Sequence, residues 1–405
     1  MRHTNFETGI TTPDWAPVTR RLGFDTLFQE FADGAAARDV ARRPIFDETA
    51  ELKRRGFGAV RLNGASLPDL FALARDLATA DPNIAHVFRN HFFAVEQHLK
   101  TAQDAFSHHV LHLARKGRMF GVAFSESTTS AAGGRGQIPA AKLEPDGKGF
   151  RVSGTKIYST GNIYADHLFA TAVDPEGAIR QFFIATNAPG VLLEDDWDGF
   201  GQKLTGSGKT VFDRVSVSND DLFELPQPDP DAPYLYHFTF HQIYLTTVIS
   251  GIVNRVLLDA LNLVRGRSRN YYHALAERPA DEPELQSAIG RIAAHRAAVI
   301  AATDRAIDAL DLAWARIDTP DAQRLSVAAS IAAAEAKVFV DETAAQLASL
   351  LIDVSSGSGV SASRALDRHW RNIKVIAAHN PRIYKERVIG DHYLNGALPP
   401  TGAFF

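Results

Sequence analysis

Cysteine is absent from all 405 residues, which excludes disulfides, thiolate metal centres and cysteine nucleophiles. Charge of one sign is lacking too: 43 Lys and Arg against 47 Asp and Glu leave a net charge of -4. That is too small a field to gather nucleic acid or anionic lipid, so a small molecule or a protein is the expected partner, with no membrane. The chain has no run of roughly 20 apolar residues. Its first residues, MRHTNFETGITTPDW, hold no apolar segment of signal-peptide length, so a cytoplasmic location is expected. Internal repeats and low-complexity tracts are missing as well. What is present is core-forming material: 45% of residues are hydrophobic and 25 are Phe, in a chain long enough for two or three domains.

The texture changes twice. From about Val18 to Lys116 apolar residues recur at helical spacing, as in DLFALARDLATA and FSHHVLHLARK, with breaks at Gly56 and at the DPN beginning with Asp81. Between Gly121 and Val217 the period approaches two, in GFRVSGTKIYSTG, HLFATAV, RQFFIAT, GVLLEDDW and KTVFDRVSV, which predicts antiparallel strands of a barrel or sandwich. LPQPDPDAP reads as a stiff linker. After Tyr234 three long helical patterns follow, the first with Leu245, Ile249, Ile252, Val256 and Leu257 on one face, and SRALDRHWRNIKVIAAH supplies a shorter fourth. The expected fold class is α+β: an N-terminal helical domain over 1–118, a central β domain over 119–225 and a C-terminal four-helix bundle with a docking tail over 233–405.

Three motifs invite other functions. SSGSGVSA matches a dinucleotide fingerprint formally, but a long helix precedes it where a strand is required, so it reads as a helix-ending turn. LTGSGKT has Lys203 where a phosphate loop needs glycine and reads as a turn entering a strand. His108, His109 and His112 are spaced for helical metal ligands but lack an accompanying carboxylate, so a helix surface is the preferred reading and no metal is expected.

Four stretches in order resemble the acyl-CoA dehydrogenase superfamily over nearly the whole chain: GVAFSESTTSAAGG, VSGTKIYSTGNIYAD, WDGFGQKLTGSGKTVFDRVSV and SGSGVSASRALDRHWRN. The resemblance implies that Phe124, Ser125, Tyr158, Ser159 and Thr160 meet a flavin, and that Arg267 and Arg269 in RGRSRNYY, with Arg371, serve its phosphate end. An isoalloxazine ring needs a flat slot, polar partners on its pyrimidine edge and near N5, and an apolar wall. Tyr158 and Thr160, two apart in an extended segment, can face one side of the sheet, although strand alternation alone explains that placement. A solvated helix end equally explains the arginines.

A dehydrogenase of this superfamily often carries a glutamate base nine residues after the arginine matching Arg371. That count reaches Asn380, with His379 beside it, and the nearest other acids are Asp259 and Glu386. The tail HNPRIYKERVIGDHYLNG instead resembles the two-component, FMNH2-dependent monooxygenase branch, which includes dibenzothiophene and alkyl sulfinate or sulfone oxygenases, and His91 matches a second histidine of that branch. The resemblance implies reduced FMN rather than FAD, O2 as co-substrate, a C4a-hydroperoxide, a separate NAD(P)H-dependent flavin reductase and a homotetramer. Catalysis would fall to His91, Thr160 and His379, neutral donors in a dry pocket, with His379 also touching the cofactor. Phe92, Phe93, Phe120, Phe124 and a residue near Phe238 are expected to wall it. An organosulfur substrate is the leading expectation. A nitrogen- or aromatic-carbon-hydroxylating enzyme, an FAD-containing acyl-CoA dehydrogenase with a relocated base, and a flavin-free binding protein are the alternatives. For both histidines a purely structural role, helix capping in the case of His379, stays open.

Overall fold

The computed structural model describes residues 12–100, 104–127, 138–224 and 234–405. The proline-rich segment 225–233, expected to be a linker, lies outside the described residues.

The N-terminal part contains α1 (Pro17–Arg21), α2 (Asp25–Ala41), α3 (Phe46–Arg54), α4 (Leu67–Ala80), α5 (Pro82–Val87), α6 (Arg89–Lys100) and α7 (Ala105–Arg115). The breaks fall where the sequence marks them. Gly56 adopts φ 74°, a left-handed geometry that glycine takes without strain, after α3. Asp81 ends α4, and its carboxylate accepts the Asn83 N–H at 3.0 Å to start α5. Its other oxygen pairs with buried Arg38 of α2 at 2.9 Å. Three helices are thereby pinned at the point from which α5 and α6 present His86, Arg89, Asn90 and His91.

One sheet follows: β1 (Phe120–Ala123), β2 (Lys142–Asp146), β3 (Gly149–Lys156), β4 (His167–Val173), β5 (Ile179–Ala185), β6 (Val191–Glu194), β7 (Lys209–Val217) and β8 (Leu222–Glu224). Its order is β6-β7-β3-β2-β4-β5-β8, with β1 added against β4. The expected antiparallel pairing holds for five neighbours, whereas β1 and β2 each meet β4 in parallel. Alternate residues Thr210 and Phe212, then Val215 and Val217, point inward from β7 onto Val152 and Phe182, the pleat that the period-two pattern predicts.

The C-terminal bundle is built from α8 (Thr239–Arg265), α9 (Pro283–Ala315), α10 (Ala322–Ser355) and α11 (Asp367–Ala378), with α12 (Arg382–Asn395) beyond Pro381. α8 is long and apolar enough to cross a membrane, but its apolar window is 67% buried among its neighbours, as befits a core helix. Alanines 329, 332, 333 and 336 are buried along α10, where small side chains let helices approach closely. α10 ends at the SSGSG turn as expected, yet the residue with positive φ there is Ser356, at φ 54° and ψ −162°, rather than a glycine. His108, His109 and His112 lie on the exposed face of α7.

The C-terminal residues follow α12. They dock on the bundle, within this chain, as the expected docking tail does. The Tyr236 hydroxyl donates to the Pro399 carbonyl at 2.6 Å, and Gln242 Nε2 donates to that of Ala403 at 3.2 Å. Phe405 is buried with Tyr236, Val327, Ile331 and Val388, with Lys385 Nζ 3.2 Å from its ring centroid. Burying a Phe is worth about 1.5–3 kcal/mol, which explains why two terminal phenylalanines fold back.

A candidate active site between the sheet and the helices

His379 is the first residue past α11. Its N–H donates to the Ile376 carbonyl at 3.2 Å, so its backbone does cap the helix. Buried Asn380 then ties three elements together, donating to Gln242 Oε1 of α8 at 2.8 Å and to the Phe404 carbonyl at 3.1 Å. The imidazole of His379 is left without a hydrogen bond to a described residue. It stands edge-on to Phe404 at 5.9 Å between centroids and, although closely surrounded, keeps exposed surface through which a ligand could reach it. Burial, and after it the charges of Arg89, His86 and Lys337, hold its pKa well below the ordinary value, so the ring is neutral.

α5 and α6 bring the next groups. His86 is buried with Nδ1 2.8 Å from Gln202 Oε1, and burial followed by Arg89 lowers its pKa to about 3. Arg89 is only 8% exposed and forms no hydrogen bond or ion pair with a described residue. Asn90 Nδ2 donates to the Thr160 carbonyl at 3.2 Å. His91 behaves differently from expectation. Nε2 lies 2.9 Å from the Gly58 carbonyl, which can only accept, and Nδ1 lies 3.2 Å from the Phe120 N–H, which can only donate. The ring is therefore a neutral Nε2–H tautomer with both nitrogens committed, its pKa lowered to about 4 by burial. In this arrangement it fastens β1 to the turn at Gly58 and offers no free donor.

The sheet contributes its loops. The Ser125 carbonyl accepts the Ile157 N–H at 2.9 Å, which sets Phe124 and Ser125 beside the segment 157–160. That segment is not extended as the alternation predicts: β3 stops at Lys156 and Tyr158 adopts φ 53°, so Tyr158 turns outward, 66% exposed, while Ser159 and Thr160 are both buried. Gly161, at φ 83°, lies against α5, and a side chain there would meet the Val87 carbonyl at 2.9 Å. A hydroxyl chain fixes the polarity of Thr160. Thr205 Oγ1 donates to the Gln202 carbonyl at 2.8 Å, so it must accept from Ser207 Oγ at 2.8 Å, which in turn must accept from Thr160 Oγ1 at 2.8 Å. The single hydrogen of Thr160 is thus committed, and the hydroxyl presents lone pairs to any ligand: an acceptor, where a donor was expected.

The arginines divide. Arg371 pairs with Asp39 at 2.6 Å and Asp367 at 2.7 Å and donates to the Phe200 carbonyl at 3.1 Å. It therefore clamps the 197–205 loop rather than meeting a ligand, and the neighbouring Asn372 Oδ1 accepts the Gln202 N–H at 2.6 Å. Arg267 and Arg269 follow the far end of α8, roughly 36 Å along the axis from His241, so within one chain they are not brought to His379. Arg267 donates to Ser356 Oγ at 3.0 Å and lines, with Arg255, Asp259, Arg364 and Arg368, a cavity of about 470 Å³. Arg269 is exposed.

Phe93, Phe238 and His241 stack as a wall, with centroids 4.0 Å apart for Phe93 and His241 and 5.6 Å apart for Phe93 and Phe238. Phe92 and Phe120, also expected there, have no exposed surface and belong to the core, and Phe124 is only partly buried. His241, Gln202, Ser207, His86 and Arg89 were not singled out from sequence. An arginine inside the apolar window HVFRNHFF was the available signal for the last. Buried atoms without partners concentrate here: His86 Nε2, Arg89 Nε, Asn90 Oδ1, Ser159 Oγ, Gln202 Nε2 and His241 Nδ1. Native proteins seldom leave such atoms orphaned, and a polar-edged planar group would satisfy them, so the residues fit a flavin and a small ligand.

Helices, sheet and bundle in this order, joined at such a recess, define a protein of acyl-CoA dehydrogenase fold, and residues 243–381 match the family of the acyl-CoA dehydrogenase C-terminal domain. Within that fold the chain is similar to oxygenases. It is 27% identical, over 83% of each chain, to a probable FMNH2-dependent monooxygenase, SfnC, of Pseudomonas putida, and 27% identical, over 93% of each chain, to a dibenzothiophene monooxygenase of Rhodococcus qingshengii. The methanesulfinate monooxygenase MsuC of Pseudomonas fluorescens superposes with a TM-score of 0.83 over 96% of this chain and 100% of that one, at 24% identity.

Proposed function

We propose that this chain is the oxygenase component of a two-component flavin monooxygenase, taking reduced FMN from a separate reductase and oxygenating a small organosulfur compound with O2. One observation carries the choice over an acyl-CoA dehydrogenase. Both carboxylates open to that alternative are engaged elsewhere: Asp259 is held by Arg255 at 2.8 Å, Arg368 at 3.3 Å and His369 at 2.7 Å, and Glu386 lies on exposed α12 near Arg382. In place of a carboxylate stands His379, whose lowered pKa makes it a weak base for α-proton removal. The similarity to enzymes named for FMNH2 and dibenzothiophene supports the same reading.

Reduced FMN, when bound, would supply two electrons and two protons so that one oxygen atom enters the substrate and the other leaves as water. The chain's residues prepare the place for this. Thr160, held as an acceptor by Ser207, suits an N–H that reduced flavin carries and oxidised flavin lacks. Ser159, Asn90 and Gln202 offer further partners to the polar edge, with Tyr158, Ser125 and Phe124 at its rim. His379 keeps a proton available for hydrogen bonding without carrying charge, and Phe404 closes the recess beside it. His91 acts by position, holding β1 and the Gly58 turn. In a homotetramer, a neighbouring chain's arginine-lined cavity would bring Arg267 and Arg269 to the flavin phosphate, since one chain's own lie too far away. A cytoplasmic enzyme is the setting in which a soluble reductase delivers its product. Purified protein given photoreduced FMN, oxygen and a panel of sulfides, sulfinates and thiophenes should yield an oxygenated sulfur product. Tight co-purification of FAD with reduction by acyl-CoA would refute the proposal.

A further inference from the structure

Arg89 is the feature that the oxygenase reading leaves unexplained. It is 8% exposed, lies in the first turn of α6, and has neither a carboxylate nor any other hydrogen-bonding partner among the described residues; its Nε is fully enclosed and unpaired. Every other buried arginine of the described chain is compensated: Arg38 by Glu48 and Asp81, and Arg368 by Asp259. Removing a guanidinium from water without a counter-charge costs several kcal/mol, so an isolated one is kept only where something completes it. Its surroundings contain no competitor. Charge effects place it within reach of His86, His241, His379 and Tyr244. Burial lowers the pKa of all three imidazoles, leaving them neutral, and raises that of the tyrosine, leaving its hydroxyl protonated. The guanidinium itself, lowered to about 10 by burial, stays charged at neutral pH.

Its place on α6 sets it among the groups of the candidate site: Asn90, the next residue, donates to the Thr160 carbonyl at 3.2 Å, and Phe93, one turn on, stacks on His241 and Phe238.

We infer that the recess binds a small organic sulfur oxyanion, a sulfinate or sulfonate, with Arg89 as its counter-ion and specificity-determining residue. This rests on the organosulfur monooxygenase reading for the sulfur, but the demand for an anion comes from Arg89 alone. A fork of N–H donors meets two oxygens of such a group together, and a charge-assisted pair of this kind is stronger than a neutral hydrogen bond.

Binding to the FMN-loaded full chain tests the inference without requiring turnover. Calorimetric titration with methanesulfonate and with its uncharged isostere dimethyl sulfone should show the anion bound at least about tenfold more tightly, the ratio of one charge-assisted hydrogen bond. Arg89→Met should bring that ratio to within about twofold, and Arg89→Lys, which keeps the charge and loses the fork, should retain part of it. Equal affinity of the two ligands for the unaltered protein would overturn the inference, even if neither variant folds. So would an unchanged preference in Arg89→Met, or an equal weakening of both ligands together with FMN, which would assign Arg89 to the flavin. If the protein shows the anion preference but forms no oxygenated product from reduced FMN, the reaction assigned above fails while the anion site stands.

Discussion

At the level of single residues, the proposed chemistry rests on what His379 and Thr160 withhold. His379 caps α11 with its backbone and leaves its ring free, so capping and proton handling are not alternatives for it. His379→Ala should reduce product formation by about 100-fold or more, the scale of a lost proton-handling group, while stability measured by urea unfolding changes by less than about 0.5 kcal/mol. Because its pKa lies well below the ordinary value, product formation should show no limb near pH 6.5; a clear titration there would contradict a neutral donor. Ser207→Ala frees the Thr160 hydroxyl to rotate and donate. We expect about 1 kcal/mol less stability and a lower ratio of product to flavin oxidised, measured as added hydrogen peroxide release. His379 could be read from its place in the sequence. The polarity of Thr160 could not, because it is set by Ser207 and Thr205, some 45 residues away and on a different loop.

Among the elements, the helices and strands follow from apolar periodicity, since a face that must be buried leaves its spacing in the chain. What periodicity misses are its interruptions. Tyr158, past the end of the strand at φ 53°, turns outward while Ser159 and Thr160 are both buried, so the alternation ends there. β1 joins β4 in parallel, and nothing in its four residues encodes a partner so distant in the chain. The turn after Tyr158 depends on Gly161, where an added methyl would strain the backbone and push on the Val87 carbonyl. Gly161→Ala should therefore cost about 1–3 kcal/mol and displace Thr160, lowering turnover more than flavin affinity. α5 and α6 also carry a pH dependence. The folded pKa values of His86 and His91, about 3 and 4 against 6.5 unfolded, mean that their stabilisation is complete above pH 6.5. It declines by about 1.4 kcal/mol per unit for each as the pH falls toward 4, because only the unfolded chain takes up the protons. Asp76, raised by burial to about 6 from 3.8, has the opposite sign and regains about 1.4 kcal/mol per unit between those values. For these three groups the net is a loss of about 1.4 kcal/mol per unit between pH 6 and 4, and His98 and His369, also lowered to about 4, add to it with the same sign, so denaturant midpoints should fall steadily with pH across that range.

For the molecule as a whole, the order of helices, sheet and bundle was legible in the sequence, but how its distant parts share one recess was not. Arg267 and Arg269, expected at the flavin, stand at the far end of α8, while an arginine passed over in HVFRNHFF is the one whose charge bears on His379. The tail shows the same limit: its docking surface, built from Tyr236, Val327 and Val388 of separate elements, appears only in the packing. Deleting residues 399–405 should leave the bundle folded but open the recess beside His379, so that flavin oxidation continues while peroxide replaces product. The central claim is that one atom of molecular oxygen is transferred within this recess to a small organosulfur compound. Single-turnover reaction of the protein with photoreduced FMN, methanesulfinate and ¹⁸O₂, read by mass spectrometry, tests it most directly. The account predicts methanesulfonate carrying one labelled oxygen; unlabelled product, or labelled peroxide alone, would contradict it.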